Sequence, residues 1–261
     1  MQLHFYKYQG TGNDFVILNN LDGTNTGLTQ EQVAFLCHRR FGIGADGLML
    51  LNSLPGYDFE MKYYNADGRE STMCGNGGRC LVKFAWDLGI VKTTYRFLAS
   101  DGEHEATVKE DSSVALKMHD VDRIVMQDGN YIVNTGSPHY VLLRNNIMEL
   151  DVYKKGRDIR YSPQFRNEGI NVNFVEQMDD SHQIKVRTYE RGVEDETYSC
   201  GTGVTAAALV CSHNENGFNY VAVQTKGGKL GGGYDKRDRH FENIWLIGPA
   251  QRVFEGTIEI R

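Results

Sequence analysis

The sequence runs to 261 residues, which at roughly 150 residues per domain is one large domain or two small ones. Its 40% hydrophobic and 24% charged residues are those of a folded globular protein and exclude a disordered tail. The net charge of −6, from 28 Lys plus Arg against 34 Asp plus Glu, argues against nucleic acid as a partner.

No stretch of 18 apolar residues is present, so no membrane-spanning helix is expected. The opening MQLHFYKYQG lacks the basic start and apolar run of a secretory signal. Five cysteines, at 37, 74, 80, 200 and 211, form no CxxC pair. That spacing argues against a disulfide framework or a Cys-rich zinc site and points to reduced thiols in a cytoplasmic protein.

In chain order, LHFYKYQG and DFVILNN read as strands. TQEQVAFLCHRRFG reads as a helix capped by Thr29, with Val33, Leu36 and Cys37 on its apolar face. GLMLLN and FEMKYYN are strands. GNGGRCLVKFAWDLGI, following Cys74, is a helix ended by Gly89, and YRFLAS is the next strand. Following Cys200, GTGVTAAALVCSHNENG reads as a second apolar helix ending near Gly217. GGKLGGG at 227–233 lacks the ending of a phosphate-binding loop and reads as strand and turn; DKRDRHFE at 235–242 reads as a solvated hairpin tip. Gly42, Gly44 and Gly47 fit GxGxxG, but a strand follows where dinucleotide binding needs a helix.

An internal repeat organises these elements. QGTGNDFVIL at 9–18 resembles NTGSPHYVLL at 134–143, FGIGAD at 41–46 resembles EGINVN at 168–173, and KYYNADGRESTMCGNGG at 62–78 resembles RTYERGVEDETYSCGTG at 187–203. The offsets are 124 for Gly12 to Gly136, 127 for Gly42 to Gly169, 125 for Tyr64 to Tyr189 and 126 for Cys74 to Cys200. So long a period indicates one α/β domain duplicated, with halves at roughly 1–120 and 121–248. Residues 249–261 match nothing in either half and are expected to return as a strand to the first domain.

Each half places a cysteine immediately before a glycine-rich helix start. The unpaired N–H groups and partial positive charge there lower a thiol pKa by about one unit, and they also bind carboxylate or phosphate. A thiol near neutral pH suits general acid/base work. Cys37, Cys80 and Cys211 sit within apolar helix faces and read as small buried hydrophobes. If Cys74 and Cys200 face each other, one takes a proton from a carbon and the other returns it to the opposite side. That inverts a stereocentre without a cofactor. Three further readings compete. A dithiol redox pair is disfavoured by the separation of 126 residues, a single-base enzyme would return the proton to the side it left, and a carboxylate-binding protein would have inert cysteines.

MCGNGGRC, SCGTGV, GTGNDFV and YERGVEDET together resemble the diaminopimelate epimerase family, over essentially the whole chain. Proline racemases and hydroxyproline epimerases share the two-cysteine plan without the ERG segment and stand as the alternative. The resemblance implies an α/β (α+β) fold of two pseudo-symmetric domains, each a mixed sheet wrapped around a central helix, with the active site in the cleft between them. It implies interconversion of LL- and meso-diaminopimelate in lysine and peptidoglycan precursor biosynthesis, with no pyridoxal phosphate or metal, by a homodimer.

Residue by residue, Cys74 and Cys200 match the acid/base pair, with Cys74 the base and Cys200 the acid in the LL-to-meso direction. Gly75, Asn76, Gly201 and Thr202 match the turns that hold the reacting carboxylate. Asn13, Asn65, Asn171, Glu190 and Arg191 match substrate contacts, Arg191 as the fork for the distal carboxylate. His139 and Glu190 match positions that tune the two thiols. The sequence departs from the family pattern at Gly47, where Gln is frequent, and at Ser137, where Asn is frequent.

Overall fold

A computed structural model describes residues 1–178 and 182–260. The chain divides into two compact units, Met1–Leu116 with Pro249–Arg261, and Lys117–Gly248.

In the first unit, β1 (Gln2–Gly10) and β2 (Asn13–Asn20) form an antiparallel hairpin. Thr11 and Gly12, at φ 51° and 85°, make the two-residue turn with both φ positive that suits strand twist. α1 (Gln30–Cys37) carries the chain to β3 (Gly47–Asn52), parallel to β2. β4 (Phe59–Asn65) runs antiparallel to β3, and β5 (Glu70–Ser71) to β4. α2 (Gly75–Asp87) then leads to β6 (Tyr95–Ala99), parallel to β4, followed by antiparallel β7 (Gly102–Val108) and β8 (Val114–Lys117).

The second unit repeats this scheme rung for rung. β10 (Asn130–Asn134) pairs antiparallel with β11 (Pro138–Leu143), which is parallel to β12 (Asn171–Gln177) across the connection holding α3 (Val152–Arg160). β13 (Gln183–Glu190) is antiparallel to β12 and to β14 (Asp195–Thr197). α4 (Gly201–Val210) leads to β15 (Gly217–Thr225), parallel to β13, then antiparallel β16 (Gly228–Arg237) and β17 (His240–Gly248). The outer neighbour of β10 is β9 (Val125–Gln127), just before it in the chain. The corresponding neighbour of β1 is β18 (Gln251–Glu259), with Gln2 opposite Glu259.

These ladders fix the residue equivalences. Phe15 lies opposite Gly47 where His139 lies opposite Asn171, and Tyr64 opposite Glu70 where Tyr189 lies opposite Glu196. Gly47 therefore corresponds to Asn171, an offset of 124. The FGIGAD–EGINVN match, at 127, is three residues out of step: it sets a segment that lies wholly before β3 against one that already enters β12, and a shared glycine misaligned them.

β2 and β3 are continuous apolar runs because both faces are covered. Val16, Leu18, Leu48 and Leu50 pack on Val33, Leu36 and Cys37 of α1. Phe15 and Met49 lie on the other face, within 3.5 Å of where a Cβ on Gly77 of α2 would stand. α1 carries the expected Thr29 cap, completed by Gln32 as a capping box, a feature that stabilises a helix by about 1 kcal/mol. α2 gives way to the positive-φ Gly89 as read. α4 stops at Val210, earlier than the sequence reading, because the Asn219 side chain accepts from the backbone N–H of both His213 and Asn214. The GGKLGGG segment falls on the β15–β16 turn and β16, and Gly232 leaves room for Ala208 of α4, which an added Cβ would approach to 2.6 Å. DKRDRHFE spans the β16–β17 turn at Asp238.

Candidate active site

Cys74 and Cys200 are the N-cap residues of α2 and α4. Their backbones are nearly superimposable, at φ −97° and ψ 128° against φ −104° and ψ 115°. Neither sulfur caps its own helix, so the first-turn N–H groups of Gly75–Asn76 and Gly201–Thr202 are not consumed by the cysteine. Cys74 is half-buried and Cys200 is 6% exposed. The other three cysteines behave as read: Cys37, Cys80 and Cys211 are buried, and burial pushes each thiol up to about 12.

Around Cys74 the first unit gathers Asn13, Gly75 and Asn76. Asn13 Oδ1 accepts from Cys74 Sγ at 3.6 Å and from Asn76 Nδ2 at 3.3 Å. Asn13 Nδ2 donates to Asp46 Oδ2 at 2.6 Å. Asp46 is held by Arg39 (2.6 Å), which also grips Asp14 through both of its carboxylate oxygens. Asp14 is paired with the buried Lys7 as well. Burial pushes its carboxyl up, but the Arg39 and Lys7 hydrogen bonds outweigh this and hold it near 2. Asn65 is exposed at the end of β4, opposite Gly47 of β3, its backbone N–H donating to Arg69 O at 2.9 Å.

Around Cys200 the second unit gathers Thr202, whose Oγ1 is 3.5 Å from the sulfur, with Thr135 Oγ1 donating to Thr202 O. His139, Asn171 and Arg191 form a second cluster. Asn171 is engaged at both ends of its amide: Nδ2 donates to Ser137 Oγ (2.8 Å) and Pro138 O (3.1 Å), and Oδ1 accepts from Arg191 N (2.9 Å). Ser137, one of the two departures, thus orients Asn171, which fixes the backbone that carries the Arg191 side chain. Arg191 Nη1 donates to Glu168 O. Glu190 Oε2 accepts from Thr197 Oγ1. The other departure, Gly47, is dictated by packing, since a Cβ there would stand 2.5 Å from Tyr63 Cε2 and 2.6 Å from Tyr64 O.

His139 is fully buried. Burial, then the Arg191 charge, push its pKa down to about 3, so the imidazole is neutral at physiological pH. Thr188 Oγ1 donates to Asn173 Oδ1 at 3.0 Å, which turns the Asn173 amide so that Nδ2 donates to His139 Nδ1 at 3.1 Å. The ring proton therefore sits on Nε2, a buried donor with no partner among the described residues.

Sequence reasoning missed three side chains that shape these sites: Asp46, Asn173 and Arg79. Arg79 is fully buried in α2, with Nη1 donating to Gly75 O and Nη2 to Thr11 Oγ1 and Asn76 Oδ1. The available signal was a charged residue within the otherwise uncharged helix start GNGGRCLV.

A family model described as diaminopimelate epimerase matches residues 5–124 and 131–253. The chain belongs to the diaminopimelate epimerase family. A member from Flavobacterium psychrophilum, "Diaminopimelate epimerase", is 48% identical over 261 residues, covering 98% of this chain and 100% of the relative. Among solved structures, a Bacillus anthracis phenazine biosynthesis protein of the PhzF family aligns over 100% of both chains with a TM-score of 0.76 at 14% identity. A hydroxyproline epimerase from Agrobacterium vitis, with bound trans-4-hydroxy-L-proline, aligns over 98% of this chain and 92% of its own, with a TM-score of 0.68 at 13% identity. At those identities the two structures share the fold with this family member, and nothing further follows from them.

Proposed function

We propose that this protein, an isomerase, interconverts LL- and meso-2,6-diaminopimelate by passing the α-proton between two thiols, in lysine and peptidoglycan precursor biosynthesis. The observation that carries the reading is the duplicated cysteine: one at the same helix N-cap in each of two units with the same ladder scheme, in a chain of this family.

In the LL-to-meso direction, Cys74 as thiolate takes the α-proton and Cys200 as thiol delivers one to the opposite face. The reverse direction exchanges the roles. The first-turn N–H groups of Gly75–Asn76 and Gly201–Thr202 take the α-carboxylate, where charge builds as the proton leaves. Preorganised donors of this kind are worth roughly 3–4 kcal/mol of barrier each. Proton transfer by a positioned group adds about 10²–10⁴ in rate. Charge stabilisation by backbone dipoles takes over what pyridoxal phosphate or a metal supplies elsewhere, and the reading uses neither. Arg191, held by Asn171 and Glu168, takes the distal carboxylate, and Asn65 serves as a further substrate contact. Asn13, His139 and Glu190 adjust the thiols. Reduced sulfur is required throughout, which accords with a cytoplasmic location, and the reading includes a homodimer. All five cysteines are thiols in the structure, and no described helix is long and apolar enough to cross a membrane.

Incubation with diaminopimelate in heavy water tests the reading. Deuterium should enter at one α-carbon as the LL and meso forms equilibrate. Diaminopimelate recovered without deuterium would leave a carboxylate-binding protein in its place, and equal turnover of proline would favour a proline-type racemase.

A further inference from the structure

Asn13 and Asn76 form a pair of side-chain amides beside Cys74, and each has its far end tied to a charged group of opposite sign. Asp46 is paired with Arg39 at 2.6 Å, and its carboxylate oxygens only accept. Its Oδ2 takes Asn13 Nδ2 at 2.6 Å. Arg79 is a guanidinium and only donates. Its Nη2 gives to Asn76 Oδ1 at 3.0 Å. The remaining atoms of the pair then have one arrangement. Asn13 presents its oxygen, and Asn76 presents its NH2 to that oxygen at 3.3 Å. The Cys74 sulfur meets the same oxygen at 3.6 Å. With Asn13 turned over, its NH2 would face the Asn76 NH2, and its oxygen would face the Asp46 carboxylate.

We propose that Asp46 and Arg79 are positioning residues for Cys74, an acceptor and a donor that fix from opposite ends which atom of the amide pair faces the sulfur. The inference rests on the reading that Cys74 carries a proton in the reaction. An amide oxygen facing the sulfur favours the S–H form, whereas an NH2 there would favour the thiolate. Asp46 thereby favours the thiol form of Cys74, and the charge of Arg79 works the other way, favouring the anion. Arg79 has the character of a group waiting for a negative charge. It is fully buried, its acceptors Gly75 O, Thr11 Oγ1 and Asn76 Oδ1 are all neutral, and its Nε has no partner among the described residues. Burial disfavours its charged form, and the Cys80 and Cys74 thiols act in the opposite sense. The other ionisable groups around the pair are Lys7, Asp14 and Arg39 on the Asp46 side, Cys80 beside Arg79, and Asp101 with His104 next to Met73.

Opposite charges at the two ends give the test a sign. The rate of iodoacetamide alkylation is measured against pH on the full chain, with Cys74 followed by peptide mapping. Asp46→Asn removes the acceptor charge and frees the Asn13 amide, so the midpoint for Cys74 should fall by on the order of one pH unit. Arg79→Met removes the buried cation, so the midpoint should rise by a similar amount. A merely structural role would loosen the helix start and change the alkylation rate at every pH without moving the midpoint. Midpoints that stay at the parent value, or move in the same direction in both variants, overturn the inference. Should Arg79→Met fail to fold, Asp46→Asn decides alone, and a midpoint that stays or rises overturns it. Alkylation reads the thiol whether or not diaminopimelate is turned over, so failure of this inference is distinct from failure of the epimerase reading, which the heavy-water experiment shows with the parent protein.

Discussion

The two units share a ladder scheme and a cysteine, yet they are built from opposite materials beneath that cysteine. In the first unit the sheet under α2 is apolar, with Phe15, Met49 and Tyr63, and the polar group is on the helix, Arg79. In the second the equivalent sheet positions are His139, Asn173 and Thr188, all buried and polar, and the helix is apolar, with Thr205 where Arg79 would be and Ala206–Ala208 after it. Duplication kept the backbone and the N-cap thiol and exchanged the side of the helix–sheet contact that carries polarity. One thiol site therefore has a fixed cation nearby, and the other unit holds a neutral imidazole.

Breaking either thiol is the most severe test of this comparison. Cys74→Ala and Cys200→Ala should each lower epimerisation by at least about 10³-fold while thermal melts stay close to the parent, because each removes one proton carrier. If one variant keeps near-normal turnover, the two sites are not partners in one reaction.

The contrast beneath the helices is tested by a matched pair of glycines. A Cβ at Gly203 would overlap Asn173 Oδ1, an atom pinned by Thr188, whereas one at Gly77 would meet the flexible Met49 Sδ at 3.1 Å. Gly203→Ala should therefore cost about 1–3 kcal/mol in urea unfolding and Gly77→Ala clearly less. Equal costs would mean that the polar floor of the second unit is no stiffer than the apolar floor of the first.

The smallest effect is a pH slope. His139 has a folded pKa near 3, below its ordinary 6.5, so protonation favours the unfolded chain. Its contribution to stability is intact above pH 6.5 and is lost as the pH falls towards 3, reaching about 2 kcal/mol by pH 5. His139→Phe, which installs the residue found at the equivalent position 15, should flatten that slope between pH 6.5 and 5. An unchanged slope would assign the acid sensitivity to other groups.

What the sequence revealed, and what it hid, follows from the range of the interactions. Local signals were readable: the Thr29 cap, the continuous apolar runs of β2 and β3, and the cysteine before a glycine-rich helix start, twice. The partners of buried polar groups were not, because Asp46 meets Asn13 and Thr188 meets Asn173 only once neighbouring strands are in register. α3 was missed because Gly156 sits in its middle and lowers helix propensity. The position demands glycine, since a Cβ there would overlap the Tyr189 ring. The loop before β12 has no regular pattern, and so the second repeat match slid by three residues.

β18 imposes an order on synthesis. The second unit is one continuous stretch, and β10 finds its outer neighbour β9 a few residues upstream. β1 must wait for a strand that leaves the ribosome some 240 residues after it, tens of seconds later at about 5–20 residues per second. Until then one rim of the first unit is an open edge with unsatisfied backbone groups, the feature that invites pairing with other chains. The first unit's edge thus stays open for nearly the whole of synthesis, whereas the second unit forms from one continuous stretch that ends just before β18.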